Sequence, residues 1–162
     1  MKHTISVHFQ NNFNALSRII GLFSGRGFNI DSVSFGEAKE PGLACMSITT
    51  RGDDRIIEQI NNQLNKLIDV VKVTDLTYEP FVERGLALVK VSTTPETRSE
   101  IIQVTHVFRA KIIDISPQSL TIEVTGKKDK IDAAIGMFRP FGLLEVARTG
   151  SVALKREFKG QT

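Results

Sequence analysis

The sequence predicts an α+β protein built from two tandem βαββαβ domains. Short segments that alternate apolar and polar residues are typical of strands with one buried face, and they are interspersed with longer segments of helical period. The order strand, helix, strand, strand, helix, strand occurs in residues 1–77 and recurs in residues 84–149. Each half therefore fits the ferredoxin-like plan, a four-stranded antiparallel sheet with two helices on one face.

The first helix is predicted over residues 15–26, after a strand at residues 5–10. Its apolar residues fall on one face of a 3.6-residue period. They are Ala15, Leu16, Ile19, Ile20, Leu22 and Phe23. A side-chain oxygen of Asn12 or Asn14 is suited to cap the helix, and the glycines that flank Arg26 are suited to end it.

Three further strands of the first half are predicted at residues 29–35, 43–50 and 70–76. A second helix starts at Gly52-Asp53, where Asp53 favours a helix N-terminus. Its apolar face contains Ile56, Ile57, Ile60, Leu64 and Leu67.

The second half repeats this order with strands at residues 86–92, 110–116, 119–125 and 143–148. Thr94 is expected to cap its first helix, with Pro95 at the first helical position. The two helices present inner faces made of Ile101, Val104, Thr105 and Phe108, and of Ile131, Ala134, Ile135 and Phe138. Residues 78–83 are predicted to be a linker, and the polar residues 150–162 a tail that frays.

Composition limits the class of protein. The chain has 162 residues, 41% hydrophobic residues and a net charge of +3. Cys45 is the only cysteine, so no intrachain disulfide can form. No segment resembles a signal peptide or a membrane span, and we expect a cytoplasmic protein with no membrane partner.

The sheet of the first half is expected to leave one face and its edges open. The outward residues are small and mildly polar: Ser6, His8, Ser34, Cys45, Ser47 and Thr49. Because unpaired edges can join those of a second sheet, we expect a homodimer.

The sequence contains no recognisable catalytic or metal-binding pattern. No phosphate-binding loop or nucleophile elbow is present, and His3, His8 and His106 are scattered, so each is interpreted as solvated or satisfied within the fold. The strands at 43–50 and 119–125 lack the aromatic residues on which RNA bases stack, and the basic residues are dilute. We therefore expect no nucleic-acid partner, no metal and no catalytic residue. The free N–H groups at the start of the first helix instead favour a bound carboxylate, as in a small-ligand sensor.

Several segments resemble one family closely. In the first half these are ALSRIIGLFSGRGFNIDSV, MSITTRGDD and LNKLIDVVKV; in the second they are VERGLALVKV, FRAKIIDISPQSLTIEVTG, KIDAAI and LLEVARTGSVAL. They resemble the small regulatory subunits of acetohydroxyacid synthase (acetolactate synthase), in which the first domain is an ACT domain. The resemblance covers nearly the whole chain.

The resemblance implies a regulatory subunit without an active site. Its partner is the large catalytic subunit, which carries thiamine diphosphate, Mg²⁺ and FAD and condenses pyruvate with a second 2-keto acid toward valine, leucine and isoleucine. The small subunit raises that activity and confers feedback inhibition, usually by valine, which binds where two ACT domains join their sheets. The implied valine-binding residues are Asn11, Asn14, Ala15 and Leu16, with Asn29 and Ile30 from the other protomer.

One position departs from the family pattern, which has glycine where this chain has Asn14. A glycine lets the backbone approach a ligand closely, whereas the Asn14 side chain occupies space at the entrance to the site. We expect the ligand carboxylate at the N–H groups of Ala15 and Leu16, and weaker valine feedback because of Asn14. Two alternatives are a stand-alone amino-acid-binding ACT protein and an acyl-phosphate hydrolase. The second requires an arginine in the first loop, QNNFNA, which has none.

Overall fold

The computed structural model describes residues 1–157 and contains two compact units. The first unit is formed by Met1–Glu83 together with the described residues from Gly150 onward, and the second by residues 84–149. Both are βαββαβ units, which confirms the α+β, ferredoxin-like prediction.

The first unit has a four-stranded antiparallel sheet in the order β2-β3-β1-β4. Its elements are β1 (Lys2–Gln10), α1 (Phe13–Gly25), β2 (Asn29–Glu37), β3 (Leu43–Arg51), α2 (Asp54–Asn65) and β4 (Val70–Asp75). Alternate residues of β1 and β3 point toward the two helices and are fully buried there. Among the described residues β2 pairs with β3 and with no other strand, so β2 lies at one edge of this sheet.

The buried face of α1 is narrower than predicted. Ala15, Ile19 and Phe23 are buried, because residues four apart lie one above the other on a helix. Leu16 and Leu22 pack against the core from its sides and are partly buried. The predicted inward position of Ile20 was wrong: it follows Ile19 by about 100° of helix rotation and is 36% exposed.

The second unit has the strand order β6-β7-β5-β8. Its elements are β5 (Phe81–Ser92), α3 (Arg98–Val107), β6 (Lys111–Ile115), β7 (Ser119–Gly126), α4 (Lys128–Phe138), a 3-10 turn (Arg139–Phe141) and β8 (Leu143–Arg148). The start of α3 differs from the prediction. The Thr94 carbonyl accepts from the N–H groups of Thr97 and Arg98, so Thr94 begins a preceding turn and the regular helix starts at Arg98.

The chain after Thr149 forms a strand instead of a frayed end. Strand β9 (Val152–Lys155) pairs with β5 and packs against β1 and β3. The Ala153 N–H donates to Ser47 Oγ at 3.2 Å, and Arg156 N donates to the Pro80 carbonyl oxygen at 2.8 Å. The polar tail sequence concealed this strand, because its pairing partners are distant in the sequence. Residues 158–162 of the predicted tail lie outside the described residues.

The same strand corrects the prediction of an open sheet face on the first unit. Ser6, Ser47 and Thr49 are buried, although they point away from the helices. The strand β9 packs against β1 and β3, and Ser47 accepts a hydrogen bond from it on this side of the sheet. The strands β2 and β4 form the two edges of this sheet, and each pairs with one other strand within the described residues.

Candidate ligand-binding site at the start of the first helix

Asn12 caps α1 with both its side chain and its backbone. It has extended dihedral angles, and its Oδ1 accepts from the Ala15 N–H at 2.8 Å. Its carbonyl oxygen accepts from the Leu16 N–H at 3.3 Å. The N–H groups at which we expected a ligand carboxylate are therefore already engaged. The first-turn donors without an intrahelical acceptor are those of Phe13 and Asn14.

This finding shifts the expected carboxylate position by two residues toward the start of the helix. Ala15 is buried and Leu16 partly buried, whereas Asn14 lies exposed in the first turn. Asn14 thus stands next to the two remaining donors, at the positive end of the helix dipole. The sequence alone did not predict whether Asn12 or Asn14 is the cap, because both precede the apolar positions of the helix.

Asn11 lies beside the hairpin that joins β2 to β3. Its N–H donates to the Gly42 carbonyl oxygen at 2.9 Å. It lines a cavity of about 260 Å³ together with Glu37, Ala38, Glu40, Pro41, Gly42 and Leu43. The carboxylates of Glu37 and Glu40 suit an ammonium group, and the N–H donors of α1 suit a carboxylate. A zwitterionic amino acid carries both of these groups, an ammonium and a carboxylate.

Glu37 and Glu40 were not among the residues predicted for the site. The sequence signal that pointed toward them was the Pro41-Gly42 turn, which places the residues before it on a hairpin. Their proximity to Asn11 depends on the pairing of Gln10 with Leu43, a contact between residues far apart in the chain.

Asn29 and Ile30 lie at the other end of the sheet from Asn11. Asn29 pairs with Arg51, the last residue of β3, whereas Asn11 adjoins Gly42, just before the first residue of that strand. With about 3.3 Å per residue, the eight steps of β3 separate these positions by roughly 26 Å. One chain therefore brings Asn11, Asn14, Ala15 and Leu16 together and holds the other two predicted residues far from them.

The Asn29 end of β2 is fastened to β3 by polar contacts. Thr50 Oγ1 donates to the Asn29 carbonyl oxygen, and Arg51 Nε lies 2.7 Å from Asp31 Oδ2. The hydrogen bond and the charge of Asp31 raise the pKa of the Arg51 guanidinium. A register irregularity falls between Ile30 and Ser32 on the same strand.

Two phenylalanine side chains of the first unit are exposed. Phe13, the first residue of α1, is 81% exposed, and Phe35 of β2 is 52% exposed. Phe35 pairs with Met46 and so points to the helix side of the sheet. Large apolar side chains at an unpaired strand are typical of a surface that another chain covers.

His3 differs from the predicted solvated or satisfied histidine. It is fully buried, its Nδ1 lies 3.6 Å from Asp75 Oδ2, and its ring meets the Tyr78 ring edge to face. Neither ring nitrogen has a hydrogen-bond partner within the described residues. The Tyr78 hydroxyl donates to Asp54 Oδ1 at 2.7 Å, and this bond is the main cause that raises the pKa of the phenol. A histidine so enclosed does not face a substrate.

Within residues 1–157, no three His, Cys, Asp or Glu side chains are grouped to hold a metal ion. None of the helices in this part of the chain is long and apolar enough to cross a membrane.

The fold and the site define the class: a tandem-domain α+β protein whose first unit is an ACT domain. A family model described as the AHAS small subunit-like ACT domain matches residues 5–72. A second, described as the small subunit of acetolactate synthase, matches residues 84–157. The chain belongs to the acetolactate synthase small-subunit family, which confirms the resemblance drawn from its sequence.

Individual relatives agree with this assignment. The chain is 50% identical over 157 residues to the acetolactate synthase small subunit of Aquifex aeolicus, covering 96% of this chain and 82% of that protein. It is 52% identical over 155 residues to a probable acetolactate synthase small subunit of Methanothermobacter thermautotrophicus, covering 95% and 92%. The crystal structure of the small subunit from Thermotoga maritima superposes with a TM-score of 0.92 at 41% identity, covering 98% of this chain and 99% of that one.

Proposed function

We propose that this chain activates the catalytic subunit of acetolactate synthase and confers feedback inhibition by valine on it. The chain itself supplies no catalytic residue and no cofactor. Thiamine diphosphate, Mg²⁺ and FAD belong to the catalytic partner in this proposal, and the small subunit acts by binding that partner and the effector.

The observation that carries the proposal is the separation of the two groups of predicted ligand residues, which lie at opposite ends of the first unit's sheet. An antiparallel pairing of β2 with the β2 strand of a second copy, centred near Val33, would set Asn29 of that copy beside Glu37. Glu37 lines the cavity that also contains Asn11. The two groups, roughly 26 Å apart in one chain, would then meet at each end of a two-fold interface.

The chemistry of the cavity supports an amino acid as the effector. The N–H donors at the start of α1 would hold the carboxylate, and the carboxylates of Glu37 and Glu40 would face the ammonium. Phe13 and Phe35, both largely exposed in one chain, would be covered at the same interface. A small apolar side chain such as that of valine is compatible with these surroundings.

The proposal is tested by mixing the purified chain with the catalytic subunit and titrating valine, leucine and isoleucine. We expect higher turnover on mixing and inhibition by valine, with no synthase activity in this chain alone. Synthase activity in the isolated, highly purified chain would contradict the proposal. If the chain binds valine but neither associates with nor activates the catalytic subunit, the alternative of a stand-alone ACT protein is favoured.

A further inference from the structure

The segment from Gly150 to Arg156, here called the strap, crosses the face of the first unit's sheet opposite the helices. Ala153 is 4% exposed and donates to Ser47, which is 6% exposed. Beyond it, Lys155 pairs with Glu79, and the Arg156 N–H donates to the Pro80 carbonyl oxygen. The strap is therefore fastened along its length by contacts within the first unit.

At its beginning the strap touches the backbone of β2. A Cβ built on Gly150 would meet the Val33 carbonyl oxygen and would lie 2.7 Å from the Val33 carbonyl carbon and 3.1 Å from its nitrogen. Real Cβ atoms essentially never approach other atoms within 3.0 Å. Only glycine thus permits this approach without movement of the strap or of β2.

The backbone of Val33 is accessible to the strap because the Val33 side chain points to the opposite face of the sheet, which the helices cover. It pairs with Ile48 and packs against the helix-covered core. On the opposite face its neighbour Ser34 pairs with Ser47, the residue that accepts the Ala153 hydrogen bond. Gly150 and Ala153 therefore contact two adjacent strands, β2 and β3, from the same side of the sheet.

The strand held in this way is the one that carries Asn29 and Ile30. Within the described residues it is an edge strand that pairs with β3 alone, and its register is irregular between Ile30 and Ser32. An edge strand with few neighbours opens more readily than a central one. The strap packs against the middle of β2, and this contact limits how far the two ends of β2 can move.

We propose that the strap positions β2 for effector binding and that Gly150 is the positioning residue on which this depends. The inference rests on the proposed function, because it concerns the same effector site. When the strap lies on Val33, the two ends of β2 are held where a second copy can complete the site. When the strap is displaced, β2 moves more freely and the effector must restore its order at the expense of affinity.

Gly150→Ala tests the inference, and Gly136→Ala is the matched control. Gly136 is a glycine of α4 whose Cβ would meet nothing within 4 Å. Two quantities are measured on the full-length chain. The first is amide hydrogen exchange in Asn29–Glu37. The second is the valine concentration that gives half-maximal inhibition of the complex with the catalytic subunit, with activation in the absence of valine recorded in parallel.

We expect Gly150→Ala to raise both the exchange rate and the half-inhibiting valine concentration by between roughly fivefold and a hundredfold, the effect of overpacking by one methyl group. Gly136→Ala should leave both unchanged. Equal values for the two variants would overturn the inference. Faster exchange with an unchanged valine response would also overturn it, because the strap would then be structural only.

Ser47→Ala provides a second variant that adds no bulk and keeps the test valid if Gly150→Ala does not fold. It removes the acceptor of the Ala153 N–H and should raise both quantities by roughly two- to tenfold, the value of one hydrogen bond. No change in either quantity would overturn the inference. A wild-type chain that neither activates the catalytic subunit nor responds to valine would refute the proposed function, while the exchange measurement would still decide whether the strap holds β2.

Discussion

Asn12 Oδ1 accepts a hydrogen bond from the Ala15 N–H at 2.8 Å, and this contact determines which donors of α1 are left for a ligand. The side chain satisfies the Ala15 N–H, and the Asn12 carbonyl satisfies that of Leu16. In the proposed effector site we therefore expect the carboxylate closer to Phe13 and Asn14 than the sequence indicated.

Asn12→Ala should lower the free energy of unfolding by about 0.5–2 kcal/mol, since it removes the side-chain cap of α1. Asn14→Ala is the control, because Asn14 lies inside the first turn and the Asn12 oxygen still caps the helix. We expect the control to remain within about 0.5 kcal/mol of wild type. Urea unfolding followed by circular dichroism measures both variants. Equal losses of unfolding free energy in the two variants would show that the Asn12 cap does not stabilise the helix.

Asn14→Gly should bind valine more tightly than the wild-type chain. The Asn14 side chain stands beside the free first-turn donors, and glycine would let a carboxylate reach them. A regained charge-assisted hydrogen bond is worth roughly 1.5–3 kcal/mol, or about ten- to a hundredfold in affinity. Isothermal titration calorimetry on the two proteins gives the comparison. Equal or weaker binding by the glycine variant would mean that the asparagine amide itself contacts the ligand.

Phe35→Asp should shift the chain toward monomers at micromolar concentration. Phe35 is half-exposed on the open edge strand, and covering an unpaired carboxylate at an interface is strongly unfavourable. Ile68→Asp is the matched control, because Ile68 is 89% exposed and lies outside β2. Sedimentation velocity distinguishes the states. A wild-type monomer under these conditions, or equal behaviour of both variants, would count against the proposed dimer.

Asp132→Asn should slightly destabilise the second unit at pH 7, and the loss should be smaller at pH 3. Asp132 lies 2.5 Å from Lys128 Nζ and 2.7 Å from Arg148 Nη2. The hydrogen bonds from Lys128 and then Arg148 lower its pKa below the ordinary 3.8.

A lowered pKa in the folded state gives stability that is present above pH 3.8 and is lost as the pH falls through the folded-state pKa. Because Asp132 is 40% exposed, solvent screening limits the effect to less than about 1 kcal/mol. Urea unfolding at the two pH values measures it. Asp114→Asn is the control, since no salt bridge to Asp114 occurs in the described part of the chain. A loss that is as large at pH 3 as at pH 7 would contradict an electrostatic origin.

The sequence by itself determined the two βαββαβ units and most of their helices. Alternation in Ile5, Val7 and Phe9 and the four-residue spacing of Ala15, Ile19 and Phe23 are local patterns, and burial of one face follows from them directly. The narrow motifs around α1 also determined the family, because they combine the cap, the helix and its glycine end in one short segment.

Tertiary structure alone decided the features that depend on contacts between distant residues. The cavity that brings Glu37 and Glu40 to Asn11 depends on the pairing of β1 with β3, and the separation of Asn29 from that cavity depends on the pairing of β2 with β3. The strap is the clearest case. Its polar sequence has no periodic signal, and it forms a strand because β5, Ser47 and Pro80 supply its partners. A segment whose order comes from partners far away in the sequence cannot be recognised from its own residues.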